Sequence, residues 1–436
     1  MKDARYYAFY ILKEYHRSNK RLKTVRDQYF KKTRLSQTDI LRSFVLTNEI
    51  VRWQARLDYW ISLFLDKPIK KLNPSVNIIL RLGFYESIMD DSIPSYAAVH
   101  SWVELAKTEL GKKLSGLVNA LMRKTNEIDP IHRDDNQSIS EWYSFPDWLI
   151  EQWIDHFGNK KAFQLCEYFN EQSSTDFRLN WISKSKENIL RDLEKLKIEI
   201  VNSPESNNFI RVKSGAQYIF KSDLFKRGLV IVQNRASGAV VELLDPQAGE
   251  TIIDCCAAPG TKSSYIIEKM KFKGNVYASD LSKKRGKLGK ETAKRFNIPI
   301  QWEYKDASAD EFPMADRILI DAPCTGTGVI GRRPDIRWRR KKNDAKSMAN
   351  IQTEILGHMA QFLKPNGILI YATCSLELEE NWNVVESFLK LNNNFTLESG
   401  KNFVPSSWLN DQGCLETFPP RDKVDGMFAA RIRKND

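Results

Sequence analysis

Over the first 130 residues apolar positions recur at three- and four-residue spacing and never alternate. Ala4, Ala8, Ile11, Leu12 and Tyr15 fall on one helical face. Leu41, Phe44, Val45 and Val51 form a second stripe, and Ile78, Ile79, Leu82 and Tyr85 a third. Asn73-Pro74-Ser75 and Ile93-Pro94-Ser95 punctuate the region, which the spacing predicts to be all helix. A polar, aperiodic run at 129–140 reads as a linker. Pro146, Trp148, Leu149, Trp153 and Phe157 then predict a short helix ending near Gly158. Between 176 and 225, strand-like pieces at 177–181 and 209–212 accompany one amphipathic helix at 187–196, a small α/β unit. From Gly228 onward apolar strands at 251–254, 276–278, 318–321 and 367–372 alternate with helical segments, the pattern of a doubly wound, mostly parallel sheet. The expected division is a helical domain over 1–135, a linker helix with the small α/β unit over 136–227, and the sheet domain over 228–436.

At 436 residues, 42% hydrophobic and 28% charged, the chain is long enough for two or three domains. No apolar stretch approaches the roughly 18 residues that span a bilayer. Residues 6–12 are too short and lack the cleavage site of a secretory signal. A cytoplasmic location and no membrane partner are expected. Lys and Arg number 67 against 55 Asp and Glu, a net charge of +12, and such an excess favours polyanionic partners. Part of it is a run (Arg17, Lys20, Arg21, Lys23, Arg26, Lys31, Lys32, Arg34) with Tyr29 and Phe30 interleaved, which reads either as a solvated helix face or as an RNA-binding surface. The six cysteines (166, 255, 256, 324, 374, 414) contain no C-x-x-C pair and no zinc spacing. Buried or catalytic thiols are expected, with neither disulfides nor metal.

Three predicted strand ends carry the chemistry. The first opens into Cys255-Cys256-Ala257-Ala258-Pro259-Gly260-Thr261-Lys262 and then a helix; small residues let backbone approach a ligand at a helix N-terminus. The segment is neither a P-loop nor G-x-G-x-x-G. Asp280 follows the second strand, where doubly wound folds place the carboxylate that binds ribose hydroxyls, so a nucleoside cofactor fits. The alternative is a tight turn with an N-capping Asp. Asp306, after a third strand at 301–304, either reaches an adenine edge or caps the next helix. The fourth strand closes in Asp321-Ala322-Pro323-Cys324, and a later one in Tyr371-Ala372-Thr373-Cys374-Ser375. A carboxylate can bind a base's ring nitrogen, and a thiol can shuttle a proton or attack carbon. The glycine-rich, then cationic stretch Thr325–Lys342, including Arg337 and Trp338, reads as a substrate-side loop gripping phosphates and stacking a base, or as a basic surface loop.

Residues 254–262 (D-C-C-A-A-P-G-T-K), 321–328 (D-A-P-C-T-G-T-G), 333–338 (R-P-D-I-R-W) and 371–375 (Y-A-T-C-S) resemble the motifs of the Fmu/Sun family of S-adenosylmethionine-dependent RNA cytosine-5 methyltransferases. Glu380-Asn381 and Asp425-Gly426-Met427-Phe428 match that family's downstream pattern. Leu80-Arg81-Leu82-Gly83 and residues 118–123 are similar to NusB, and the combination resembles the family's small-subunit ribosomal RNA methyltransferases. The resemblance implies a Rossmann-like catalytic domain, an all-α NusB-like domain, S-adenosyl-L-methionine as cofactor, small-subunit ribosomal RNA as substrate, and a monomer. It implies that Cys256, Ala257, Ala258, Pro259, Gly260, Thr261 and Lys262 cradle the cofactor, with Asp280 at its ribose, Asp306 near its adenine and Arg285 also contacting it. Asp321 would hold the cytosine at the cofactor's edge, Cys374 would be the nucleophile, and Cys324 would assist release of the product. Lys262 is a candidate for activating the thiol. The alternatives are a cytosine-5 methyltransferase of tRNA or DNA, and a non-catalytic RNA-binding protein.

Overall fold

The computed structural model describes residues 3–33, 35–171, 174–182, 184–201 and 208–436; Arg34 of the basic run lies outside them. The chain divides into two compact units, Met1–Glu171 with Arg332–Arg339, and Gln172–Gly331 with Arg340–Asp436.

The first unit is built of helices: Ala4–Arg17, Leu22–Lys32, Gln37–Arg52, Gln54–Ser62, Pro74–Ile88, Ser95–Leu110, Lys112–Met122, Ile139–Tyr143 and Asp147–Asn170. Their starts carry caps: Asp3 accepts from the Tyr6 N–H, Ser36 from Asp39, and Asn73 from Ser75 with Pro74 in the first turn. The first and third predicted stripes are buried. Of the second only Val51 is. Leu41, Phe44 and Val45 are exposed, and Ser43, Leu46, Thr47 and Ile50 join Val51 in facing the core. Thr47 can be buried because its hydroxyl donates to the Ser43 carbonyl within its own helix (2.8 Å). Arg26 lies 4.0 Å over the Phe44 ring and donates to Asn48, so it is buried and drops out of the basic run. Arg17, Lys20, Arg21, Lys23, Lys31 and Lys32 are exposed. Gly158 (φ 77°) breaks the long helix where the sequence pattern stops, but helix resumes beyond it to Asn170.

Segment Arg332–Arg339 belongs to this helical unit, and two residues of the stretch read as a substrate-side loop, Arg337 and Trp338, are engaged within the unit instead. Arg337 is fully buried. Its Nη1 donates to the carbonyls of Arg52 (3.1 Å) and Ser144 (3.0 Å), and Nη2 to Phe169 (3.0 Å). These carbonyls belong to the ends of three helices, where unpaired C=O groups and negative dipole ends collect. The guanidinium also lies 3.7 Å over the Phe145 ring, and the Trp338 indole donates to the Val51 carbonyl (2.7 Å) instead of stacking a base.

The second unit holds two sheets. Strands β1 (Thr175–Leu179), β2 (Glu199–Val201), β3 (Phe209–Ser214) and β4 (Val230–Val232) form an antiparallel sheet in the order β2-β3-β1-β4. Helices Lys186–Glu194 and Ala216–Lys221 fall in the β1–β2 and β3–β4 connections, a βαββαβ arrangement of the ferredoxin type. The larger sheet contains β5 (Thr251–Asp254), β6 (Asn275–Ser279), β7 (Gln301–Glu303), β8 (Ala315–Asp321), β9 (Leu363–Thr373), β10 (Phe395–Glu398), β11 (Leu415–Glu416) and β12 (Phe428–Lys434). Its order is β10-β12-β9-β8-β5-β6-β7, with β11 beside β12. Strands β5 to β9 are parallel, and β12 runs antiparallel between β9 and β10. Strands β5 and β9 are buried on both faces: Ile252, Ile368 and Ile370 enter one core layer, Ile253, Leu369 and Tyr371 the other. The order reverses between β5 and β8, the switch point at which doubly wound folds form a ligand crevice outside the strands' carboxyl ends.

No helix among the described residues is long and apolar enough to cross a membrane.

Candidate active site

The strand register brings the two thiols together. Asp321 of β8 pairs with Ala372 of β9, and the Ala322 N–H extends the ladder to the Ala372 carbonyl (2.8 Å). Cys324 lies three residues beyond the first of these partners and Cys374 two beyond the second, and their sulfurs are 3.2 Å apart. Both side chains are half-buried, and none of the six cysteines forms a disulfide. The hydrogen bond shared with Cys374, then burial, then the charges of Cys374 and Glu380 push the Cys324 thiol well above its ordinary pKa.

Lys262, in the first turn of helix Thr261–Lys269, donates to Asp321 Oδ2 at 2.6 Å. Burial alone would push its ammonium down, but the charges of Asp321, Asp254 and Cys374 outweigh it and hold the group above the usual lysine value. Lys262, Asp321, Cys324 and Cys374 therefore share one corner of the crevice.

Just before Lys262, the turn from β5 places Ala257, Ala258 and Gly260 in buried positions and leaves Cys256 and Thr261 half-buried and Pro259 exposed. Gly260 has φ +95°, and a Cβ there would lie 2.9 Å from Trp302. The Asp280 carboxylate is buried and accepts from the N–H groups of Ala258 (3.3 Å) and Ser282 (2.9 Å). Arg285 reaches back to the Ala258 carbonyl (2.7 Å) and pairs with Asp280 (3.4 Å). Asp306 follows β7 at the same edge. Its Oδ1 accepts from the Ser308 N–H and hydroxyl (2.9 and 2.6 Å), which hold it below the ordinary carboxylate pKa and cap the turn.

Several contributors were not singled out from the sequence as site residues. Asp254 closes β5, fully buried; Ser263 donates to its Oδ2 (2.7 Å), while Oδ1 has no hydrogen-bond partner. Burial, aided by the charges of Asp321 and Asp280 and opposed by the Ser263 bond, raises its pKa to about 7. Its signal was an acid ending an otherwise apolar strand. Arg340 clamps the Pro-Cys loop by donating to the carbonyls of Cys324 and Thr325, both at 2.8 Å. Glu380 and Gln352 complete the loop's buried support.

Two predictions arise here. The unfolded chain releases the Asp254 proton near pH 4 and the folded chain near 7, so the native state binds more protons between those values. Stability therefore falls as pH rises through this window, by about 4 kcal/mol if the whole shift is expressed. Asp254→Asn, which still accepts from Ser263, is expected to flatten that fall and to be more stable than the parent at pH 8; urea titrations from pH 4 to 8 test this. The second concerns Gly328, whose N–H donates to the Cys374 carbonyl (3.0 Å) and whose carbonyl accepts from Gly426 (2.9 Å). A Cβ on Gly328 would lie 2.2 Å from the Gly426 oxygen, backbone against backbone. Gly328→Ala is expected to cost about 1–3 kcal/mol, read as a lowered denaturation midpoint.

Residues 241–433 match the 16S rRNA methyltransferase RsmB/F family, residues 2–127 the NusB family, and residues 145–218 the ferredoxin-like domain of RsmF/B-like methyltransferases. Over 445 aligned residues, covering all of both chains, the protein is 32% identical to the probable ribosomal RNA small subunit methyltransferase B of Synechocystis sp.. It is 33% identical to the protein of the same description from Bacillus subtilis, over 87% of each chain. Among solved structures, that of PH0851 superposes with a TM-score of 0.80 at 27% identity, covering 95% of this chain and 94% of the other. NSun6 from Pyrococcus horikoshii with SFG shares the fold, at a TM-score of 0.61 and 21% identity over 67% of this chain and 99% of its own. With helical, ferredoxin-like and methyltransferase segments all matched in chain order, the chain belongs to the RsmB/F family of 16S ribosomal RNA methyltransferases.

Proposed function

We propose that the protein is an S-adenosylmethionine-dependent RNA cytosine-5 methyltransferase that forms 5-methylcytosine in small-subunit ribosomal RNA, with Cys374 as nucleophile and Cys324 assisting elimination. The observation that carries this reading is the pair of sulfurs 3.2 Å apart beside the Lys262–Asp321 ion pair at the sheet's carboxyl edge. In the same reading residues 1–135 and 136–227 serve RNA recognition and 228–436 the chemistry.

The residues present fit the cofactor. Asp254 offers a buried carboxylate oxygen without a hydrogen-bond partner, suited to a ligand's ammonium, and Asp280 is buried beside the small-residue turn. Asp254 would take the ammonium, Asp280 with Arg285 the ribose, the 256–262 turn the body of the ligand, and Asp306 the adenine end. When bound, S-adenosylmethionine supplies an electrophilic methyl group.

C5 of cytosine is too poor a nucleophile to accept that methyl unaided. Addition of the Cys374 thiolate to C6 moves the ring's electron pair onto C5. The Lys262 ammonium, kept charged by its neighbours, offsets the thiolate's charge before addition, and Asp321 holds the base edge. Once C5 carries both methyl and hydrogen, a base takes the hydrogen as a proton, the C5=C6 bond re-forms, and Cys374 leaves as thiolate. Two causes that raise the Cys324 pKa, its hydrogen bond with the Cys374 sulfur and the Cys374 charge, are weakened and removed respectively when that sulfur becomes a thioether. Cys324 thus becomes more acidic after addition, when its thiolate, or a water it orients, serves as the base.

Mapping 5-methylcytosine in small-subunit ribosomal RNA from cells with and without the protein tests the reading. One modified cytosine is expected to vanish with the protein; an unchanged map overturns it.

A further inference from the structure

We infer that Glu380 is a positioning residue that sets the spacing of the two sulfurs by tying the loop of one to the loop of the other; the consequence for turnover rests on the proposed function. Glu380 lies in the turn Leu378–Glu380 and is fully buried. Its Oε1 accepts from the Thr325 N–H (2.8 Å) and Gln352 Nε2 (3.0 Å), and its Oε2 from the hydroxyls of Ser375 (2.5 Å) and Thr325. Thr325 follows Cys324 in the chain and Ser375 follows Cys374, so one carboxylate holds the neighbour of each reactive cysteine.

The support behind Glu380 is rigid. Gln352, on helix Asp344–Met359, also donates to the Pro323 carbonyl (2.8 Å). The buried Tyr371 hydroxyl donates to Gln352 Oε1 (3.0 Å) and contacts the Glu380 carbonyl (2.5 Å). The Thr325 and Ser375 hydroxyls are themselves 3.0 Å apart, and Asn381, the next residue, donates to the Ser375 carbonyl (3.0 Å). Every donor on the carboxylate is buried, so removing it strands several polar groups at once. Burial raises the Glu380 pKa against the lowering effect of its donors, so the charge itself is costly here and the hydrogen-bond geometry is what the site retains.

That distinction shapes the test. Glu380→Gln can keep one oxygen for Thr325 N–H and Gln352 and turn its amide N–H groups toward hydroxyls free to rotate. Glu380→Asp is one methylene shorter and cannot span both loops. The first readout is the rate at which diamide, a two-electron thiol oxidant, joins Cys324 to Cys374 in the full-length protein without cofactor or RNA, mapped by mass spectrometry. The second is kcat against KM on ribosomal RNA. In Glu380→Ala and Glu380→Asp the crosslink is expected to slow at least about tenfold and kcat to fall about 10²-fold with both KM values kept, as for a displacement of order 1 Å. Glu380→Gln is expected to stay near the parent in both. Thr325→Val and Ser375→Ala, each losing one donor, provide milder variants should Glu380→Ala fail to fold, and are expected to fall between. Parent-like crosslinking in folded Glu380→Asp, or in both milder variants, overturns the inference. Because the crosslink needs no methylation, it decides the positioning role even if the proposed reaction proves wrong.

Discussion

Cys374→Ala is expected to abolish methyl transfer and with it any covalent protein–RNA complex, while Cys324→Ala lets such a complex accumulate. The two sulfurs look alike at 3.2 Å, and their surroundings differ. Lys262 feels the charge of Cys374, whereas Cys324 lies under the charge of Glu380 and carries Arg340 on its carbonyl. A thiol held protonated is a poor first nucleophile and, after its neighbour is alkylated, a good base. Removing it should leave addition and methylation intact and slow release by about 10²–10⁴-fold, the usual worth of a positioned acid–base group. Denaturing gels with labelled RNA read the adduct, and a single-turnover assay reads the methyl group. An adduct that persists in Cys374→Ala and is missing in Cys324→Ala would reverse the roles.

Arg337→Ala is expected to be among the most destabilising single changes in the helical unit. The guanidinium is fully buried and three helix-end carbonyls take its donors. The Phe169 carbonyl keeps the Arg52 guanidinium as a donor, while the Arg52 and Ser144 carbonyls lose theirs at about 1–3 kcal/mol each, so a total of about 2–5 kcal/mol is expected. Arg337→Lys keeps a charge but not the planar fork, and one ammonium cannot meet carbonyls on three helices in the same geometry. It should recover less than half of the loss. A basic surface loop, the other reading of this stretch, predicts a change within about 0.5 kcal/mol. Denaturant titration of the full chain, followed by tryptophan fluorescence, separates the two.

Helical periodicity in the first 130 residues and the apolar runs at β5, β6, β8 and β9 were legible because each element buries a regular face or both faces of a strand. The stripe at Leu41, Phe44 and Val45 misled for a physical reason: Thr47 satisfies its hydroxyl within its own helix and can occupy the core, while Arg26 shelters Phe44. Strands β10 and β12 went unread, since each is short or interrupted by charge. Arg431 and Arg433 of β12 point their cations to Glu398. At the site, no helix follows Asp306 for it to cap; its carboxylate holds the turn at Ser308 instead.

By itself the sequence determined that small residues, acids and thiols end successive strands, because strand periodicity and loop chemistry are local properties of a short stretch. Which sulfur faces which, at what distance and under whose charge, was decided only in three dimensions. The register of β8 on β9, the carboxylate of Glu380 spanning two loops, and the burial of Arg337 among helix ends join residues from 5 to nearly 300 positions apart. Such pairings depend on sheet order and packing, which no local pattern encodes.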